Sequence, residues 1–583
     1  MTKVSDIPKT TKNDKRFGKY LVFLVTAGLI LSIIGTSIYF VFFHNETIFR
    51  GAVVTNGGTC AQIGASILSK GGTAVDAAIA ALLCDGVSVP NCMGIGGGFF
   101  MNIYTKDKGV EFLDSREVAP GAASENMYGT NQSLASRGGL AVAVPGELKG
   151  YWEAYRKYGG KVPWKDLVQP SIDLCKSGIL VTKYLEKMLA LQVDVISKDE
   201  FLRETFIDPK TNKTYVQNQY IKRPRLAKTL EIVAESGPDA LYNGTLTEGF
   251  LQDIRNKGGI ITREDLINFK PQWKKPIQIQ LPLNQTLYTP PPPGSGVILS
   301  LIMNILNGFL DFSQPKLLTN WQRVVESFKF GFAKRTTLGD PNFVPMDDFV
   351  GNLTSKWFAE EMRKQIFDTK TFQNQSYYGA DVYEPDDHGT ANLCVLAPNG
   401  DAVVVTSTIN LDFGAGFMSG STGIILNDQM DDFSSPDFPN SYDVPPSPNN
   451  YIRPGKKPVS SILPTIILDG DDNVRLLVGG SGGTKIITSV ALAIVKHLWF
   501  NYTIEEAVAD PRLHHQLFPM KLFFEKGFEN NMALVNALYT IGHEYEILGP
   551  ADGFNTVTAI SRRNESLSAA FDPRRGGDKA FVV

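Results

Sequence analysis

The chain has 583 residues, of which 43% are hydrophobic and 20% charged, and a formal net charge of −3. Such a composition buries a large core and excludes a disordered or collagen-like chain. The 57 basic and 60 acidic residues are spread without long single-sign blocks, which excludes a nucleic-acid groove as the functional surface.

Tyr20 to Phe43 carries no charge over 24 residues, and a helix of that length at 1.5 Å per residue spans a ~30 Å hydrocarbon core. The run ends in bulky Phe40, Val41, Phe42 and Phe43 rather than a small-residue cleavage site, so it is expected to stay as an anchor. Lys3, Lys9, Lys12, Lys15, Arg16 and Lys19 precede it, and only Arg50 closely follows. Residues 1–19 are therefore expected to be a cytoplasmic tail, 20–43 a transmembrane helix and the rest extracellular, as in a single-pass type II plasma-membrane protein. Asn-X-Ser/Thr acceptors at Asn45, Asn131, Asn212, Asn243, Asn284, Asn352, Asn374, Asn501 and Asn564 all fall on that outer side. The five cysteines (Cys60, Cys84, Cys92, Cys175, Cys394) show no metal-binding spacing, so no metal site is expected. Outside the cell one bridge is plausible, and an odd count leaves a thiol over.

Further along, 59–81 reads as one or two small-residue helices broken at Gly71 and Gly72, and FFMNIY and VEFLDS read as paired strands. The glycine run Gly94, Gly96, Gly97, Gly98 comes before its strand. A dinucleotide fingerprint requires the strand first, so that reading is rejected. Residues 150–280 are helix-rich, Pro290 to Pro293 forms a stiff extended segment, and 370–387 is a polar stretch without periodicity. From Thr390 two strand-like runs flank Pro398-Asn399-Gly400, a hairpin signal. A two-residue turn would pair Thr390 with Ile409. A three-residue loop with left-handed Gly400 pairs Ala397 with Asp401 and sets Thr390 against Thr408 on one face.

VRLLVGG, then GGSGG, then TKIITSVALAIVKHLW gives strand, glycine turn, helix. Three readings of the turn stand side by side. It fits a nucleophile elbow with Ser481 as the serine of a hydrolase, followed by Asp510 and one of His514, His515 or His543. Alternatively, Gly482 and Gly483 offer bare N–H groups to a developing oxyanion near a helix start. The third is a tight turn without chemistry.

The stretches MGIGGGFF, LDSREVAPGAA, DHGTANL, TSTINLDFG, LNDQMDDFSSP, KKPVSSILPTI and VGGSGGTKI together resemble the γ-glutamyltransferase (glutathione hydrolase) family, and the anchored form is similar to the animal enzymes. The resemblance runs from about Gly51 to Val583. It implies an α+β, N-terminal-nucleophile fold: a four-layer αββα sandwich whose precursor cuts itself between Gly389 and Thr390. The products would be a large subunit, 44–389, and a small one, 390–583, that stay associated. It also implies γ-glutamyl transfer and hydrolysis of glutathione and its conjugates, with water, amino acids or dipeptides as acceptors and no cofactor.

The resemblance assigns roles residue by residue. Thr390 is the nucleophile; its hydroxyl needs a base, and the amine freed by cleavage supplies one on the same residue. Gly389, lacking Cβ, gives the Thr390 hydroxyl access to its carbonyl. Thr408 bonds to the nucleophile, and Gly482 with Gly483 forms the oxyanion hole. Arg116 clamps the substrate α-carboxylate in the bidentate manner that suits a guanidinium, with Ser460 and Ser461 as hydroxyl partners. Asn410, Gln429 and Asp432 hold the α-ammonium; Gln429 stands where some members have glutamate. Cys60 and Cys84 match a family disulfide, and Cys394, in place of a serine, is expected to be buried and inert. A catalytically silent surface protein that keeps the fold remains the alternative from another functional class.

Overall fold

The computed structural model describes residues 12–43, 50–384, 389–436, 445–549, 555–564 and 566–583. It divides into two units, Met1–Ile48 with Val583, and Phe49–Val582. The first contributes α1 (Lys12–Phe43), which contains the whole uncharged run. Among the described residues no helix is long and apolar enough to cross a membrane. Asn45 and residues 1–11 of the expected tail lie outside the described residues.

In the second unit the elements that carry the site are, in chain order, β1 (Gly51–Thr55), α2 (Cys60–Ser69), α3 (Ala74–Ser88), β2 (Gly98–Thr105), β3 (Gly109–Ser115), α4 (Glu147–Tyr158), β4 (Gln272–Lys274), β5 (Ile277–Leu281), β6 (Gln285–Thr289), α5 (Gly296–Leu306), α6 (Leu318–Arg335), β7 (Ala391–Leu396), β8 (Ala402–Thr408), β9 (Thr465–Leu468), β10 (Val474–Ser481), α7 (Lys485–Ile494), β11 (Thr556–Arg563), β12 (Ser566–Ala570) and β13 (Asp578–Val582). One sheet has the order β13-β1-β7-β8-β2-β3-β4 and the other β12-β11-β10-β9-β6-β5. Three apolar clusters separate four layers. Ala52, Val54, Cys394, Leu396, Ile466 and Leu477 pack between the sheets. Val53, Ala77, Leu393 and Val395 join the first sheet to its helices, and Leu287, Ile298, Phe328 and Ile486 do the same for the second. The period-2 alternation along β1 and β7 sends successive residues to opposite layers, which is how short strands buried on both faces build an αββα sandwich.

Residue 390 does not divide this unit into domains. β7 lies between β1 and β8, and each sheet mixes strands from before 389 with strands from after 390. The hairpin has the three-residue loop: the Ala397 N–H donates to the Asp401 carbonyl at 2.8 Å, the Gly400 N–H to that of Ala397 at 2.9 Å, and Gly400 has φ 92°. Ladder pairs run from Leu396↔Ala402 to Ala391↔Ser407, so Thr390 falls one step beyond the last pair, at the register of Thr408.

Candidate functional site

Gly389 and Thr390 enter β7 from the rim of the inter-sheet layer. Gly389 has φ 36°, and a Cβ there would stand 1.8 Å from the Asn410 carbonyl oxygen, so the approach of Asn410 requires glycine at this position. Asn410 is itself left-handed at φ 69°, and its N–H donates to Thr408 Oγ1 at 2.8 Å. That bond uses an acceptor lone pair of the Thr408 hydroxyl and leaves its O–H to donate elsewhere. The glycine run gives Thr408 room from the other side: a Cβ on Gly97 would lie 2.0 Å from the Thr408 carbonyl oxygen. Behind Thr390, the Asn392 amide sits between the hydroxyls of Thr406 and Thr558 at 2.7 and 2.6 Å, a buried polar strut joining the two sheets.

The end of β3 delivers Arg116. Its Nε donates to the Pro458 carbonyl at 3.1 Å, and one Nη donates to the Asp432 carboxylate and to the Val459 carbonyl. Asp114 fixes this arrangement, since it accepts from Lys274 and Lys457 at 2.6 Å each and so ties β3 to the 456–461 loop. Burial pushes its carboxyl up, but the two lysines outweigh that and hold it at about 2. Ser460 follows Val459, with its N–H on the Pro293 carbonyl at 2.9 Å and its carbonyl accepting from Ser295 at 2.7 Å. The proline segment thus braces the loop that carries Ser460 and Ser461. Gln429 donates to Asp432 at 2.6 Å, and Asn410 donates to the Asp428 carbonyl at 3.2 Å. A continuous chain of contacts therefore runs from Gly389 through Asn410, the 428–432 turn and Asp432 to Arg116 and the serine loop.

At the other end, Gly482 and Gly483, with φ 112° and 68°, turn the chain from β10 into α7. No protein acceptor for either N–H is found among the described residues. The serine-hydrolase reading fails here. Ser481 Oγ meets Thr556 Oγ1 at 2.5 Å and Arg575 at 3.3 Å, and no histidine is among these partners. His514 bonds Thr488 and Gln516, His543 bonds Gln322, His515 accepts from the Leu517 N–H, and Asp510 pairs with Lys496. A stretch of four glycines satisfies the elbow pattern without a base near its serine.

Several residues of the site carry no signal in the sequence. Arg575 donates to the Thr390 carbonyl at 2.7 Å and contacts Cys92 Sγ at 2.7 Å, yet it sits in DPRRGG, a segment without periodicity. It also borders a cleft of about 740 Å³ whose lining includes Lys183, Lys187, Asp412, Lys526 and Thr556. Glu117 lies at ion-pair distance, 4.0 Å, from Arg116, and its two buried carboxyl oxygens accept no hydrogen bond among the described residues. Burial, against the pull of Arg116, pushes its carboxyl up to about 8. Cys60 and Cys84 form a disulfide with Cα atoms 5.4 Å apart, joining α2 to α3. Cys394 is buried between the sheets, where burial pushes its thiol up to about 12.

The family model described as gamma-glutamyltranspeptidase matches residues 60–582. The chain is similar to Scoloptoxin SSD14 of Scolopendra dehaani, 42% identical over 91% of this chain and 92% of the relative. It is also similar to Glutathione hydrolase 2 of Arabidopsis thaliana, 38% identical over 91% and 93%. Among solved structures, cephalosporin acylase from Bacillus halodurans superposes with a TM-score of 0.80 at 25% identity, covering 91% of this chain and 96% of that one. A family match over nearly the whole of the second unit, with relatives well above 30% identity along nine-tenths of the chain, makes this protein a member of the gamma-glutamyltranspeptidase family.

Proposed function

We propose that the protein takes the γ-glutamyl group from glutathione and γ-glutamyl conjugates and passes it to water, an amino acid or a dipeptide. The observation that carries the reading is the contact chain joining Thr390 to the buried Arg116–Asp432 pair. A γ-glutamyl donor presents an α-carboxylate and an α-ammonium on one carbon. On binding, the carboxylate takes Arg116 with Ser460 and Ser461, and the ammonium takes Asp432 with Asn410 and Gln429. Charge stays balanced as the substrate zwitterion replaces the protein's own pair, which limits the desolvation cost.

Maturation and catalysis use the same hydroxyl. Thr390 Oγ1 attacks the Gly389 carbonyl, the peptide rearranges to an ester, and water cleaves it, freeing the Thr390 amine. That amine then accepts the hydroxyl proton as Oγ1 attacks the γ-carbonyl of the donor. The N–H groups of Gly482 and Gly483 receive the developing oxyanion, and Thr408 orients the nucleophile. The proton passes to the departing amine, leaving a γ-glutamyl ester that water or an acceptor amine resolves. The cationic cleft beside Arg575 suits an acceptor carboxylate. No cofactor takes part in these steps.

The large piece, 44–389, and the small piece, 390–583, remain one body after the cut because each of the two sheets is built from strands of both pieces. The eight described sequon asparagines, Asn131 to Asn564, are all exposed, in keeping with glycosylation of an extracellular catalytic unit anchored through 20–43. Removal of residues 1–43 is expected to move the protein from the membrane to the soluble fraction, and a glycosidase to increase its mobility on a gel. For the central reading, the test is release of anilide from a γ-glutamyl anilide by wild type and by Thr390→Ala. Turnover by wild type alone supports it; a properly cleaved wild type without turnover would instead favour the silent surface protein.

A further inference from the structure

Arg575 lies in the loop between β12 and β13 and is 9% exposed. One Nη donates to the Thr390 carbonyl at 2.7 Å and to Ser481 Oγ at 3.3 Å. A single nitrogen thus spans the residue that opens β7 and the residue that precedes the Gly482-Gly483 turn. The other Nη contacts Cys92 Sγ, and the guanidinium carbon stands 4.4 Å from the centre of the Tyr184 ring. These partners are neutral, since burial pushes both the thiol and the phenol up. Neighbouring Arg574 pairs with Glu525 and Asp572, whereas Arg575 forms no ion pair among the described residues. Its charge is therefore not cancelled at contact, and a guanidinium keeps that charge at every working pH.

The other ionisable groups around it do little to offset that charge. Asp85 of α3 is pushed up to about 7 by burial against the pull of Arg575. Asp412, on the same cleft, accepts from Asn91 at 2.8 Å, and Asp578 of β13 accepts from the Gln62 N–H. Lys183, Lys187 and Lys526 add like charge around the cleft. On the donor side Arg116 and Asp432 offset each other, and burial keeps Glu117 protonated up to about 8. The nitrogen and carbonyl oxygen of one residue are at most ~3.7 Å apart, so the cationic Nη lies within about 6.4 Å of the Thr390 nitrogen. Once the chain is cut that nitrogen is an amine, which ordinarily titrates at about 7.7–8.0, and its protonated form cannot serve as a base. A like charge at this range disfavours the ammonium. We infer that Arg575 is a positioning residue that keeps the freed Thr390 amine in its neutral, basic form by setting a fixed cation against its protonation. The inference rests on the proposed γ-glutamyl transfer, in which that amine takes the hydroxyl proton.

The test is hydrolysis of a γ-glutamyl anilide without added acceptor, so that no acceptor or leaving-group carboxylate is involved. The pH profile of kcat/KM is compared for wild type, Arg575→Gln, which keeps a hydrogen-bond donor but drops the charge, and Arg575→Lys, which keeps the charge. The acidic limb reports the base of the free enzyme. It should move up by about 1 pH unit in Arg575→Gln and return towards wild type in Arg575→Lys. A rate lowered equally at every pH, with the limb in place, is the mark of a structural role and overturns the inference while leaving γ-glutamyl transfer intact. No turnover by cleaved wild type overturns both. Should Arg575→Gln fail to fold or to cut, wild type decides through acetylation of the small piece's amino terminus, followed by mass spectrometry across pH. A midpoint below the ordinary range of about 7.7–8.0 supports the inference, and one inside or above that range overturns it.

Discussion

Arg116 and Asp432 lie 316 residues apart in sequence and form one ion pair, almost completely buried on both sides. Neither charge has bulk water to fall back on, so each keeps the other in place, and under the proposed function a zwitterionic substrate takes over both partners. Arg116→Ala should strand the Asp432 carboxylate and remove the anchor for the donor carboxylate. The loss in kcat/KM for a γ-glutamyl anilide is expected to be about 2–5 kcal/mol by analogy with truncated buried pairs. Arg116→Lys should rescue poorly, because one ammonium cannot serve Asp432 and the Pro458 and Val459 carbonyls with the geometry of a planar fork. Normal turnover by Arg116→Ala at low donor concentration would remove it from the site.

Gly389→Ala should impair maturation more than a methyl group ordinarily would. The left-handed backbone alone costs about 1–3 kcal/mol for a side-chain-bearing residue, a roughly 5- to 150-fold slowing if it falls on the cleavage transition state. The 1.8 Å approach to the Asn410 carbonyl adds to that. Pulse-chase gels should show uncut precursor accumulating; cleavage at the wild-type rate would contradict the assigned geometry.

Gly482→Ala tests the oxyanion assignment. A Cβ there meets Asn555 Cβ at 2.7 Å on a backbone with φ 112°, so the turn must shift and carry its N–H away from the reaction. Loss of one such donor is worth ~100- to 1000-fold in kcat, with donor KM little changed. A KM effect alone would place Gly482 in binding instead.

The hairpin register was legible because Pro398-Asn399-Gly400 permits few turns and the side-chain period of a strand is two, so one loop length brings Thr390 and Thr408 to a common face. The helices at 60–69 and 74–88 and the paired strands from Gly98 were legible from glycine breaks and alternation. The αββα layering came through the family resemblance, since runs buried on both faces carry no record of which sheet they join. The Arg116–Asp432 contact and the Arg575 bond to Thr390 depend on long-range folding of segments without periodicity, and local pattern cannot encode them. The elbow at Ser481 misled for the opposite reason: a glycine-rich turn fits many patterns, and only the distant placement of the histidines decides among them.

Glu147 supplies a pH test outside substrate binding. It accepts bonds from Tyr151 and from Ser407, and burial, reinforced by neighbouring Glu117, pushes its carboxyl from 4.5 up to about 8. Between those values the unfolded chain releases a proton that the folded chain retains. Stability therefore falls as pH rises from about 4.5 to 8, by at most ~1.4 kcal/mol per pH unit for this one group. Glu147→Gln should flatten the decline in unfolding midpoint between pH 5 and 8, leaving the part due to the other raised carboxyls, among them Glu117 and Glu384, raised to about 8, and Asp85, raised to about 7. An unchanged slope would show that Glu147 ionises normally.

The central claim is that one threonine both opens the chain and performs the acyl transfer. Amino-terminal sequencing of the smaller fragment from purified wild type, beside Thr390→Ala on the same gel, tests it most directly. The account predicts a fragment beginning Thr-Ala-Asn-Leu, at Thr390, and a single uncut chain for the variant. A fragment starting at any other residue, or cleavage that persists in Thr390→Ala, would contradict it.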